Sequence, residues 1–150
     1  MILLKIWFSF LILFMQNNDA LNTNETCKLG IEIKGLRNDK GSLMLAIYNS
    51  ADGFPDDKNK IYMNKIIQLK NADLANLTLD LPAKGSYAIA IIHDENENQK
   101  LDTNFFGVPT EGYGFSNNKT GMFGPPSFKD SSFSLLGKTK DKIQINVKYW

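Results

Sequence analysis

The sequence predicts an all-β fold, one antiparallel sandwich of about seven short strands with a single long ordered loop. Three observations predict it. Apolar and polar residues alternate with period two in several stretches, as half-buried strands require. Those stretches are short and punctuated by Gly, Pro, Asn and Asp, the spacing of two packed antiparallel sheets. No stretch keeps a helical period for more than two turns.

Each strand follows from its residues. Leu29, Ile31 and Ile33 alternate with Gly30, Glu32 and Lys34, a first half-buried strand. Residues 35–40 are a turn region. Leu43 to Tyr48 is apolar on both faces and reads as a second, covered strand. Residues 49–60 are polar, with Gly53 and Pro55, and read as a loop. Ile61 to Leu69 is a third strand. Leu77, Leu79 and Leu81 alternate with Thr78 and Asp80 in a fourth, which Pro82 ends. Lys84-Gly85 turns into Tyr87 to Ile92, a fifth and central strand. Phe133 to Leu136 is the sixth. Ile143, Ile145 and Val147 alternate with Gln144, Asn146 and Lys148 in the last. Such a set suits an immunoglobulin-like or prealbumin-like sandwich.

The connection 94–131 is too long for a structureless loop in a compact domain. Its composition argues for order. It carries Phe105, Phe106, Tyr113, Phe115, Phe123 and Phe128, with Gly107, Gly112, Gly114, Gly121 and Gly124. Rings can pin a loop to a sandwich, and glycines permit the turns.

The N-terminus has the order of a secretory signal: Lys5, an apolar run from Ile6 to Met15 broken only by Ser9, then Asn17, Asn18, Asp19 and Ala20. The run is shorter than the roughly 20 residues of a spanning helix. Residues 1–20 are therefore expected to be a signal peptide, and residues 21–150 one exported domain, periplasmic or extracellular. Cleavage removes Lys5 and Asp19, leaving net charge unchanged. Of 150 residues, 43% are hydrophobic and 22% charged, with 17 Lys plus Arg against 16 Asp plus Glu. A near-neutral balance argues against a nucleic-acid binder and against a polybasic membrane patch. Cys27 is the one cysteine, so an intrachain disulfide is excluded. Asn24, Glu25 and Thr26 do not form a lipid-attachment site.

The chemistry concentrates after the fifth strand. Asp94, Asn96, Asn98, the Lys100 backbone carbonyl and Asp102 fall at the spacing with which a tight loop gathers oxygens around a hard cation such as Ca²⁺. Glu111 or Asn104 could complete the shell. An EF-hand would have Gly in place of Gln99 and Glu in place of Phe105, so this is a different loop. The alternative is a polar turn in which the Asp and Asn side chains cap their own backbone. His93, the sole histidine, is either a structural residue or a general base beside Asp94 or Glu111. Ser116 and Ser127 lack a nucleophile elbow.

Several runs also resemble a known family. His93-Asp94-Glu95-Asn96, Leu101-Asp102-Thr103-Asn104, Gly107-Val108-Pro109, Glu111-Gly112-Tyr113-Gly114-Phe115-Ser116 and Pro125-Pro126-Ser127-Phe128 closely resemble domain-of-unknown-function family 2141. The likeness runs from about Leu29 to Tyr149. It implies an exported bacterial protein and supplies no activity. Gln99 departs from the glycine usual for the family in the acidic turn. Acidic turns of this pattern also occur in prealbumin-like surface modules, an analogy of fold alone.

The expectation is a non-enzymatic binding module for a ligand or an envelope partner, with no nucleic acid and no membrane span after cleavage. Its contacts would come from Tyr113, Phe115 and Ser116, and its acidic turn would take Ca²⁺. The alternatives are a small hydrolase using His93 with Asp94 or Glu111, and a structural envelope protein. Exposure of His93, Tyr113 and Phe115 separates the three.

Overall fold

The computed structural model describes residues 25–70, 77–121, 124–137 and 142–150. The expected signal segment and Phe123 lie outside them. Eight strands form: β1 (Thr26–Lys34), β2 (Ser42–Tyr48), β3 (Met63–Gln68), β4 (Leu77–Pro82), β5 (Lys84–Asp94), β6 (Gly112–Phe115), β7 (Phe133–Leu136) and β8 (Lys142–Asn146). One sheet has the order β4-β1-β8. The other runs β3-β2-β5-β6, with β7 paired to the start of β5. One turn of helix, α1 (Phe128–Ser131), precedes β7. Among the described residues no helix is long and apolar enough to cross a membrane.

The alternation seen in the sequence is the alternation of the two faces. Leu29, Ile31 and Ile33 of β1 turn inward, as do Leu43, Leu45 and Ile47 of β2, Leu79 and Leu81 of β4, Ile89 and Ile91 of β5, and Ile145 of β8. On the outer face of the five-stranded sheet, register pairs Met44 with Ile92 and Ala46 with Ala90, all half-buried. That explains why β2 reads as apolar on both sides. Among the described residues the core cluster runs from Cys27 to Tyr149. Burial of this kind contributes about 25 cal/mol for each Å² of apolar surface removed from water.

All seven expected strands are present, and two features were not foreseen. Pairing of β1 with β8 is parallel, with Gly30 opposite Lys142 and Lys34 opposite Asn146, so the three-stranded sheet is mixed. Periodicity reports which residues face the core and carries no strand direction. The eighth strand, β6, lies inside the long connection and pairs with Ala90–His93 of β5.

Two glycines let β6 take that place. A Cβ on Gly112 would come within 2.5 Å of the Tyr149 ring, and one on Gly114 within 2.7 Å of the Asn146 carbonyl oxygen. Only bare backbone fits beside the end of the chain, where Tyr113 and Lys148 form a two-residue bridge between the sheets.

Candidate functional site

His93 ends the inward row Ile89, Ile91, His93 on β5. It is 0% exposed. Nε2 lies 2.9 Å from the Lys40 carbonyl oxygen, an atom that can only accept, so Nε2 carries the proton. Nδ1 is then free to accept from the Tyr149 hydroxyl at 2.5 Å. The Tyr149 oxygen in turn accepts the Arg37 backbone N–H at 3.2 Å. Burial raises the Tyr149 phenol; the Glu95 charge adds to this, while the Arg37 N–H and charge oppose it.

Arg37 ties this corner together. Its guanidinium lies 4.5 Å from the centre of the Tyr149 ring and 2.6 Å from Glu95 Oε1, and it donates to the Thr110 carbonyl. Burial alone would raise the Glu95 carboxyl. Hydrogen bonds from Asn38 and Arg37, with the charge of Arg37, outweigh it and hold the group below its ordinary value. Glu95 comes within 3.9 Å of His93. Among the described residues, neither Asp94 nor Glu111 makes such a pair with the ring. The contacts of His93 are thus those of a buried, doubly hydrogen-bonded side chain with no edge open to a substrate.

Asp94 and Glu111 hold backbone. Asp94 is buried and accepts the N–H groups of Asn98 and Gln99, at 3.0 and 2.8 Å. Glu111, also buried, accepts those of Glu95 and Asp102, at 2.9 and 3.1 Å. Each carboxylate closes one side of the turn 94–102.

Of the expected ligand side chains, Asn96 and Asn98 gather on Asp102, while Asp94 is spent on the backbone N–H groups of Asn98 and Gln99. Asn96 Nδ2 donates to Asp102 at 2.6 Å, and Asn98 Nδ2 donates to both Asp102 oxygens at 2.9 and 3.0 Å. The Lys100 N–H donates to Asn98 Oδ1. The two amides thus do for Asp102 what a cation would do, and surround it with partial positive charge. Among the described residues no three His, Cys, Asp or Glu side chains are grouped as metal ligands; here the set is two aspartates and two asparagines. Glu97 and Gln99 have φ of 60° and 61°. Gln99 therefore makes the bend usually left to glycine, at a conformational cost of about 1 kcal/mol.

Tyr113, Phe115 and Ser116 offer less surface than the sequence suggests. Tyr113 is half-buried; its hydroxyl accepts the Trp150 indole N–H at 2.6 Å. Phe115 is buried against Phe54, which also meets Tyr48 and Phe128 edge-on. Ser116 is buried, accepts the Ile89 N–H at 2.9 Å and donates to the Ser131 carbonyl. These positions seat the loop: Tyr113 and Phe115 pair with Ile92 and Ala90 on the outer face of the five-stranded sheet, where Phe54 covers Phe115, while Gly112 and Gly114 take the inward positions. Ser127 caps α1 through the Asp130 N–H.

Among the described residues of the connection, the exposed rings are Phe105 and Phe106, at 97% and 85%. They stand at the tip of a narrow turn. Asp102 accepts the Thr110 N–H, Asn104 donates to the Val108 carbonyl, and Asn104 Oδ1 accepts the N–H groups of Phe106 and Val108. The sequence signal was an aromatic pair placed between Asn104 and Gly107. Asn117 and Asn118 were also missed. Asn117 donates to the Asp130 and Ser132 carbonyls. Asn118 donates to the Gln144 carbonyl and accepts the Asn146 N–H at 2.7 Å.

No curated protein and no solved structure matches the chain. A family model does match, over residues 31–144, and with the end of β1, all of β2 to β7 and the start of β8 inside the match, the chain belongs to domain-of-unknown-function family 2141, described as uncharacterized proteins conserved in bacteria.

Proposed function

We propose that this protein is an exported binding module whose contact surface is the tip of the turn that follows the acidic loop. The observation that carries the reading is the near-complete exposure of Phe105 and Phe106 on a cross-braced turn. Two adjacent exposed rings are the kind of apolar patch a monomeric surface rarely keeps without use. The signal-like order of Lys5 and Ile6 to Met15 supports a module that works in the periplasm or outside the cell. Ca²⁺ is the cation the acidic turn suits. Asp94 and Asp102 would hold it with Asn96, Asn98 and the Lys100 carbonyl, supplying hard oxygen ligands in a flexible set. Its role would be to fix the base of the tip, in place of the amide hydrogen bonds on Asp102.

The test is a pair of thermal melts of residues 21–150, in EDTA and in excess CaCl₂. Calcium is expected to stabilise the fold by RT ln(1 + [Ca²⁺]/Kd), about 1.4 kcal/mol at tenfold over Kd. Asp102→Asn should remove the response. A response that persists in Asp102→Asn, or none in the wild type, overturns the calcium part. In the same melts Phe105→Ser with Phe106→Ser should leave the transition within about 0.5 kcal/mol of wild type, as for surface positions. A loss of core size would make the tip a structural element and overturn the binding reading.

A further inference from the structure

We propose that the Phe105–Phe106 tip is an anchor for the interfacial region of a phospholipid bilayer. This rests on the binding-module reading and names its partner. Three observations distinguish a lipid surface from a protein partner.

The first is the state of the backbone. Of the N–H groups of residues 104–108, those of Asn104, Phe106, Gly107 and Val108 donate within the turn itself, to the Val108 carbonyl, Asn104 Oδ1 and the Asn104 carbonyl. A segment entering a medium poor in water must satisfy its backbone internally, because each orphaned group costs several kcal/mol there. A segment that recognises a peptide by strand addition does the opposite and keeps its N–H groups open.

The second is charge. Thr103, Asn104, Phe105, Phe106, Gly107, Val108 and Pro109 include no ionisable side chain. The nearest acid, Asp102, is turned back onto the amides of Asn96 and Asn98. The tip can therefore be immersed without taking a charge out of water.

The third is shape. The two rings meet edge to face, 5.5 Å apart, and are 97% and 85% exposed. They project from the surface. A deformable apolar phase covers such a projection completely, and aromatic rings favour the bilayer interface.

The test is co-sedimentation of residues 21–150 with phosphatidylcholine vesicles, in EDTA and in CaCl₂. Wild type should pellet with the vesicles. Phe105→Ser and Phe106→Ser should each weaken partitioning on the order of tenfold, the scale of one buried phenyl ring. Phe106→Trp should keep binding and shift its emission to shorter wavelength on vesicles. Adding phosphatidylglycerol should change little, because the tip carries no basic cluster. Wild type left in the supernatant, equal pelleting of the serine variants, or binding that demands anionic lipid each overturns the proposal. Capture of a protein partner lost in the serine variants, with no vesicle binding by wild type, overturns the lipid assignment and leaves the binding module standing. Calcium-independent vesicle binding leaves the anchor intact and bears only on the role given to the acidic turn.

Discussion

The long connection is two regions with opposite tasks. Residues 96–110 form an outer half in which Asn96, Asn98, Asp102 and Asn104 bond to their own turn and the Phe105 and Phe106 rings face solvent. Residues 112–131 form an inner half that puts Phe115 and Phe128 against Phe54 and buries Ser116 on β5. Both halves carry asparagines and aromatic residues, so these do not tell display from cover. Backbone conformation does. Among the described residues other than glycine, those with positive φ are Asn117 and Asn118 in the inner half and Glu97 and Gln99 in the outer half. Asparagine accepts that conformation readily, whereas Glu and Gln adopt it at a cost. Local strain of this sort concentrates where a segment is kept for use rather than for stability.

The largest effect that could break the contrast is at Gly114. Its Cβ would press on the Asn146 carbonyl oxygen, a backbone atom that cannot step aside. Gly114→Ala should cost about 3 kcal/mol in urea unfolding. Gly107→Ala in the outer half meets nothing within 4 Å, and only its φ of 77° is unfavourable, so about 1 kcal/mol is expected there. Equal midpoints for the two variants would show that β6 is not seated against the chain end.

A smaller effect of opposite sign sharpens the comparison. Gln99→Gly relieves the bend in the outer half and should stabilise by about 1 kcal/mol. Asn117→Gly should destabilise, because the side chain that holds the Asp130 and Ser132 carbonyls is lost. Denaturant midpoints in EDTA decide it, and a destabilising Gln99→Gly would remove the strain from the argument.

The smallest effect is set by pH. Glu95 sits below its ordinary value in the fold, through its Asn38 and Arg37 hydrogen bonds acting against burial. A carboxyl depressed on folding contributes stability that is complete above its unfolded pKa, near 4.3, and is lost as pH falls through the lower folded value. In EDTA, Glu95→Gln should be less stable than wild type near neutrality, and the gap should close in acid. A gap that is constant with pH would mean the carboxylate contributes through shape alone.

Much of this was legible in the sequence, and the misses have physical causes. Strands such as Leu29–Ile33 and Leu77–Leu81 announce themselves because one face is buried and the other wet. Gly112-Tyr113-Gly114-Phe115 does not, because its alternate residues are glycines selected for close approach rather than for burial. The polar turn 94–102 was visible as a spacing of oxygens. That Asp94 caps the backbone of its own turn was one of the two readings the spacing allowed; that Glu111 would spend its oxygens on Glu95 and Asp102 was not, since those partners are set by the path of the chain. The aromatic pattern of the connection showed that rings would pin it, yet Phe105 and Phe115 look alike until β6 fixes which of them faces the sheet. His93 read first as structural, with its partners expected in the long loop; the groups that take its nitrogens are instead the Lys40 carbonyl and the Tyr149 hydroxyl, both remote in sequence.

Asn118 has one further consequence. β8 is an outer strand of its sheet, and an outer strand is a template on which another extended chain can assemble. The Asn118 amide occupies the Gln144 carbonyl and the Asn146 N–H, the pair of groups that a neighbour's peptide bond would seek. Tyr113 fills the next place by pairing with Lys148. A single carboxamide thus impersonates a missing strand, and molecules crowded together find that stretch of the rim already taken.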